Sequence, residues 1–517
     1  MSVDKLRGSY HVNRVNPDEI GLLLSAQSYR PAVTAAVHKI KEGEWRTLQS
    51  LVSNVISPGP HPKYDGTYPC LKTKNVQDLI ADTSPADWAD VSSINDLAKV
   101  QVGKGDLLIN LTGAGSIGRV SVYYGDDLPI TNQHIAKMSP NKLIDEGYLV
   151  AYLRSFYAER ALEQGVAGST GQINMVNEHV RCTPVRICHS SAQKYIGEKV
   201  RQAERLRAWA KQLKADVNSV LDDLALPIHA KPDMFSYAKK SILGDRLDPR
   251  PYRSNVVDLV DSIESLDHDK LSKLVIFSSG CPVSSNDFVE ENFAIPLVRI
   301  RNIAEEGFKG LDIGITQHTY DEAANYHAKE GMIVLGMDGY FKAQFCIPEE
   351  LPMLINQRVA MLAVNGIRAE LLTHWLNRPE GQLQLNQWAV KTTVEHTSLT
   401  DLAKVLIPRL NDSLEDELAN KLSNARYSIR LSYKLTNLAK HLVENLIEGI
   451  VSEAEIVSAQ QALEAGDDSL DRALLERMTA EGVDGEGDPL FDDIEQLYDL
   501  LEQAEQALDA EDSIAEV

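Results

Sequence analysis

Between positions 203 and 224 the apolar residues step by three and four: Ala203, Leu206, Ala210, Leu213, Val217, Val220 and Leu224. That alternation is the seam of a coiled coil, narrower than the stripe of a helix laid on a globular core. It predicts a helix over 191–224. A second seam starts at Leu414 and runs through Leu418, Leu422, Ala425, Ile429, Leu435, Leu438, Leu442 and Leu446, with Gly449 near its end. Each seam is the other's obvious partner. Because a whole domain must fold between them, an antiparallel pair is expected. Ahead of the first helix the pattern changes to short β-rich runs at 107–112, 119–124 and 135–138, separated by Gly, Pro and Asn, followed by a helical stretch at 147–164.

The chain then repeats itself. LKTKNV at 71–76 returns as VRIRNI at 298–303, GDLLINLTGAGSIGRV from 105 returns in outline as EGMIVLGMDGYFKAQF from 330, and ITNQHIAKM at 130–138 returns as LINQRVAML at 354–362. Pro184 is echoed by Pro408, and Tyr29-Arg30 by Tyr252-Arg253. An offset of about 225 residues is too long for a solenoid and implies two copies of a domain with its connector. The expected order is a lead-in at 1–43, a first domain at 44–187, helix 191–224, a connector and second lead-in at 225–270 punctuated by Pro227, Pro232, Pro249 and Pro251, a second domain at 271–410, a second helical segment at 411–461, and a tail at 462–517.

Charge changes the picture only once it is mapped. The net charge of -23 argues at first against a nucleic-acid partner, yet the tail from Ala462 carries 19 acidic and 2 basic residues, leaving 56 acidic against 50 basic in the rest. A body so nearly balanced accommodates local basic faces. In the tail, Ile494, Leu497, Leu501, Ala504 and Leu508 fall at helical spacing, which predicts a docked amphipathic helix. The tail is expected to bind a basic surface, either a DNA channel in the free state or a partner, or else simply to aid solubility. The five cysteines lack CxxC spacing and support neither a disulfide framework nor a zinc site. With no long uncharged apolar run, the expectation is a soluble cytoplasmic protein without membrane association.

In order and duplication these motifs resemble the specificity subunit of type I restriction-modification systems. The residues that carry the resemblance are GDLLINLTG at 105–113 followed by IGRV, the Asn132-Gln133 pair, GVAGSTGQINMVNEHVRCTPVRI at 165–187, RLDPRPY at 246–252 and LTNLAKHLVENLIEGI at 435–450. The acidic segment lies outside that pattern and points to a related specificity factor of a phage-defence methylation system as the variant. The resemblance implies a mixed α/β fold with two tandem target-recognition domains, each followed by a long helix, the helices pairing as an antiparallel coiled coil. It implies double-stranded DNA as ligand and adenine methyltransferase subunits, two of them, as partners, with a restriction or translocase subunit as a further one. This chain would hold no cofactor; S-adenosylmethionine would belong to the methyltransferase. The alternative is a coiled-coil scaffold or regulatory subunit whose acidic tail mimics DNA.

Lys72 and Lys74, like Arg299 and Arg301, stand two residues apart, so each pair is expected to project from one face of a strand, as phosphate contacts or as a solvated face. The 113–118 loop with Arg119 reads as a phosphate cradle or as a plain hairpin turn. Polar segments 165–174 and 387–397 read as sources of base-edge contacts or as ordinary polar loops, and Gln172, Asn174 and Lys391 are candidates there. His134, Lys342 and Arg358 complete the DNA-binding set. Asn132 and Asn356 are expected to hold turns. Leu206, Trp209, Leu213, Leu435 and Leu442 are candidates for a partner interface on the helices. No Walker loop occurs, and DPRPY at 248–252 only superficially imitates an amino-methyltransferase motif. The expected chain is therefore not an enzyme.

Overall fold

The computed structural model describes residues 15–515 apart from 85, 95, 169–172, 230, 236–242, 244–245 and 392–393. Helices and short strands are mixed along it. The chain divides into two units, Met1–Leu206 with Leu431–Val517, and Arg207–Arg430.

In the first unit, helix Pro31–Lys41 opens on a proline, whose fixed φ suits a first helical position, and buries Val33, Ala36 and Ile40 on one face. Strand Trp45–Thr47 then pairs antiparallel with Pro184–Arg186, so this stretch begins and ends side by side. Inside it, Leu107–Asn110 lies between antiparallel neighbours Val120–Val122 and Ile135–Met138. Strand Lys63–Leu71 lies between Asp87–Asp90, antiparallel, and Ile130–Thr131, parallel. Leu71, Val76, Val102, Leu108, Tyr123 and Ile135 pack together as a core. The helical stretch expected at 147–164 is two helices, Glu146–Leu153 and Phe156–Glu163. Ser155 breaks it: its backbone is extended and its hydroxyl accepts the Ala158 N–H, which starts a new helix.

The second unit repeats this plan. Helix Ser254–Glu264 precedes strand His268–Lys270, which pairs with Leu406–Pro408. Ile333–Gly336 lies between Ala343–Phe345 and Val359–Val364, and Ile295–Val298 between Gly314–Ile315, antiparallel, and Leu354–Ile355, parallel. Repetition extends to single hydrogen bonds. Tyr29 Oη donates to the Leu23 carbonyl at 2.7 Å, and Tyr252 Oη to the Arg246 carbonyl at 2.6 Å, each six residues back. One difference is a fourth strand, Val275–Ser279, added beside Val359–Val364.

The two long helices are Ser190–Asp222 and Asp412–Glu448. On the first, Ala203, Leu206, Ala210, Leu213 and Val217 are buried as expected, but burial then moves to Leu221, with Leu224 only partly covered. A helix of 3.6 residues per turn drifts off a seam spaced at 3.5. The second shows the same drift, burying Leu435, Leu438, Leu442 and then Ile447 in place of Leu446. It ends at Gly449, whose φ of +80° suits glycine, so the helical segment expected to reach 461 is two helices. The second, Glu453–Glu464, starts on the Ser452 hydroxyl, which accepts the Glu455 N–H.

The acidic tail is folded. It forms Ser469–Glu476, a small hairpin of Met478–Thr479 with Gly482–Val483, and helix Ile494–Ala515. On the last helix Leu497, Leu500 and Ala504 are buried; Leu500 takes the inward place expected of Leu501, which is half-buried with Leu508. The basic groups it meets belong to its own chain: Lys194 pairs with Glu464 at 2.6 Å, Lys199 with Asp471, and Lys434 with Asp492. No helix among the described residues is long and apolar enough to cross a membrane.

Candidate nucleic-acid interface

Lys72 and Arg299 do not lie on a strand face as expected. The strands end one residue earlier, at Leu71 and Val298, and each basic residue caps a short 3-10 turn, Thr73–Asn75 or Ile300–Asn302. The reason is a buried asparagine that the alternating pattern hides. Asn75 Oδ1 accepts the Lys72 N–H at 2.9 Å while its Nδ2 donates to the Asp82 carbonyl at 2.7 Å. Asn302 does the same with the Arg299 N–H at 2.9 Å and the Lys309 carbonyl at 3.1 Å. Each turn brings its two cations onto one carboxylate. Lys72 and Lys74 Nζ stand 3.4 and 2.9 Å from Asp87, and Arg299 and Arg301 Nη2 stand 2.8 and 2.7 Å from Asp312. The hydrogen bond from Lys74 holds the Asp87 carboxyl below the usual carboxylate range. Asp312 is lowered too, its own backbone N–H and Arg301 outweighing slight burial. Two cations on one carboxylate leave each clamp with one net positive charge.

In the first unit the clamp is joined to the next turn. Lys72 Nζ lies 3.6 Å from the centre of the Tyr64 ring, Tyr64 Oη accepts from Asn132 Nδ2 at 3.2 Å, and Asn132 Oδ1 accepts the His134 N–H at 3.1 Å. Asn356 likewise accepts the Arg358 N–H at 3.2 Å, so both asparagines hold turns. Beyond the turn, His134 Nδ1 is 2.9 Å from Thr112 Oγ1. In the second unit Asp338 takes Arg358 Nη1 at 2.7 Å and His396 Nδ1 at 2.6 Å, one on each carboxylate oxygen.

The glycine loop is a turn. The N–H groups of Ser116, Ile117, Gly118 and Arg119 donate to carbonyls of Gly113, Gly113, Asn110 and Ser116, leaving none of the four for a phosphate, and the Arg119 side chain hydrogen-bonds Gln77. Asn174 is exposed on a short strand and Lys342 is exposed just before Ala343. Gln172 and the side chain of Lys391 lie outside the described residues. Leu206, Trp209, Leu213, Leu435 and Leu442 are all buried within the chain, so these side chains present no surface to a partner. Asp87, Asp312, Asp338, Tyr64 and Thr112 were not expected at the site. Asp87 and Asp312 stand at the repeat's offset, but PADWAD and KGLDIG share no visible motif around them.

A separate cavity of about 570 Å³ in the second unit is lined by Lys214, Asn218, Thr373, His374, Arg378 and Arg426 among others. Arg378 pairs with Asp222 and Glu380, and Arg426 with Glu350. His374 Nε2 lies 2.9 Å from Asn218 Oδ1, and burial, helped by Arg378 and Lys214, pushes its pKa down to about 4.

No protein-family model matches the chain, and no curated protein matches it. Among solved structures it is similar to the type I restriction-modification S subunit from M. genitalium, at 13% identity over 82% of this chain and 95% of that one, with a TM-score of 0.37. It is similar to the HsdS subunit from Thermoanaerobacter tengcongensis at 13% identity over 79% of this chain and 97% of that one, with a TM-score of 0.28. A third similar chain comes from a structure of complex assembly and conformational transition in the type I R-M system, at 13% identity, 79% and 98% coverage and a TM-score of 0.27. With TM-scores this low, function has to be read from the chain's own residues.

Proposed function

We propose that this chain is a non-catalytic DNA-specificity subunit. Each repeated domain reads one half of a split duplex target, and the two long helices pair antiparallel and set the gap between halves. A partner adenine methyltransferase, present as two subunits and carrying S-adenosylmethionine, is directed to the site, with a restriction or translocase subunit joining the same complex. Such a subunit works beside the chromosome, in the cytoplasm.

The observation that carries the reading is the repeated clamp. A cation pair on a carboxylate, at the same place in two copies of one framework, suits a ligand that presents the same charge twice at a fixed spacing, which is what a phosphate backbone does. Two linked readers multiply affinity through effective concentration and make the helix a ruler. A helix of 33 residues is roughly 50 Å long at 1.5 Å per residue, longer than one turn of B-DNA at roughly 34 Å.

The scaffold reading relied on a tail free to imitate DNA. It is weakened because Glu464, Asp471 and Asp492 are engaged by lysines of the chain itself. Mobility shifts with random duplexes separate the two readings, at low and physiological salt, with and without the methyltransferase. Salt-dependent binding and methylation of a split target only in the assembled complex are expected. Methyl transfer by the isolated chain, or no DNA binding under any of these conditions, rejects the proposal.

A further inference from the structure

The two copies agree closely in backbone around the asparagine turn. The Leu111 N–H donates to the His134 carbonyl at 2.8 Å, and the Met337 N–H to the Arg358 carbonyl at 3.1 Å. The Met175 N–H donates to the Leu111 carbonyl at 2.8 Å, and the Thr397 N–H to the Met337 carbonyl at 3.0 Å. Thr112 bridges Asn174, and Asp338 bridges His396. Three backbone positions in one copy therefore superpose in role on three in the other: 112, 134 and 174 on 338, 358 and 396.

Their side chains do not agree. The first copy sets Thr112, His134 and Asn174; the second sets Asp338 between Arg358 and His396. At the clamps the chemistry is the same in both copies, two cations on one aspartate. Phosphates are alike along any duplex, so residues that meet them have no reason to diverge between copies. Bases differ between half-sites, so residues that meet base edges must diverge. A shared frame carrying unlike, accessible side chains beside a shared phosphate clamp is where reading happens.

We infer that Thr112, His134 and Asn174 in the first unit, and Asp338, Arg358 and His396 in the second, are the specificity-determining positions of the two half-sites. The inference rests on the proposed DNA reading. Arg358 is the base-contacting group of the second set: its side chain is 68% exposed, and Asp338 takes only its Nη1, leaving the rest of the guanidinium fork to face a guanine edge. Asp338 is a positioning residue, holding that fork on one oxygen and His396 on the other. The second half-site therefore contains a required G·C pair. The first set, Thr112, His134 and Asn174, lacks a guanidinium, so the bidentate guanine contact offered by Arg358 has no counterpart at the equivalent place.

The test selects duplexes from a random-sequence library with the full chain, alone and assembled with the methyltransferase, and sequences the bound fraction. Arg358→Gln should reduce the preference for one G·C pair by about 5- to 150-fold, leaving the first half-site and the salt slope unchanged. The triple exchange Thr112→Asp, His134→Arg, Asn174→His should alter the first half-site alone. Because Arg358 is exposed, its replacement decides the second set even if the triple variant does not fold, and Asn174→Ala, also at an exposed position, decides the first: an unchanged first half-site overturns that assignment. A wild-type split motif that survives Arg358→Gln unchanged overturns the inference. So does a uniform weakening on all sequences with a shallower salt slope, which marks a phosphate contact. A wild-type chain that binds no duplex at all rejects the proposed function instead.

Discussion

Lys199 Nζ stands 2.6 Å from Asp471 Oδ1, with neither side chain more than 2% exposed, and the hydroxyls of Tyr195 and Tyr498 donate to the same carboxylate. Burial opposes the charge on Asp471, but Lys199 and the two tyrosines outweigh it and hold its pKa down. Removing one partner leaves an uncompensated buried charge. Asp471→Asn or Lys199→Met should destabilise the first unit by about 3 to 5 kcal/mol, read as a lower denaturant midpoint. A change within error would mean that the pair is hydrated and the tail only loosely docked.

Deleting residues 462–517 should do more than reduce solubility. It uncovers Lys199 and the apolar surface packed against Leu474, Leu475, Leu497 and Leu500, so the truncated chain should melt earlier and scatter light at concentrations where the full chain is clear. An unaltered melt would reduce the tail to a solubilising appendage.

The clamps predict paired, opposite effects. Replacing Lys72 and Lys74, or Arg299 and Arg301, with Ala should weaken duplex binding and reduce the salt slope by about 0.9 for each phosphate that is no longer neutralised. Asp87→Asn and Asp312→Asn release the cations and should tighten binding to random duplexes. If all four variants bind like the wild type, these turns do not face DNA.

His374 predicts an acid-sensitive second unit. Its pKa in the fold, about 4 against an ordinary 6.5, means that the unfolded chain binds the proton more readily between those values. The neutral ring therefore supports the fold fully above about pH 6.5, and that support declines as pH falls towards 4, by at most roughly 3 kcal/mol. Urea unfolding at pH 7.5, 5.5 and 4.5 should show a decline that His374→Gln flattens. Parallel pH profiles for the two proteins would remove His374 as the cause.

Much of the frame was legible because long-range repetition and seam spacing survive in single letters. Leu206, Leu213, Leu435 and Leu442 could be placed on seams from their steps alone, although the same burial removes them as partner surface. Local alternation misled at Lys72, where L-K-T-K-N-V reads as a strand and one inward asparagine turns it into a cap. The carboxylates of the clamps were invisible because no shared motif marks them, although Asp87 and Asp312 lie within the next stretch of chain after Lys74 and Arg301. The proposed base-reading positions were half legible: His134, Asn174 and Arg358 are polar residues near repeated motifs, whereas Thr112, Asp338 and His396 gain meaning only from the bonds they make.

The ion pair between Lys199 and Asp471 also imposes an order on synthesis. The first unit is written at both ends of the message, and the second unit lies whole between them. A ribosome adding about 5 to 20 residues per second needs roughly 15 to 50 seconds to travel from the lysine to its aspartate. Throughout that interval the second unit can complete itself while the first waits, its lysine still wet. A premature stop between the end of the second unit at Arg430 and codon 471 therefore yields a chain whose middle is finished and whose beginning never closes.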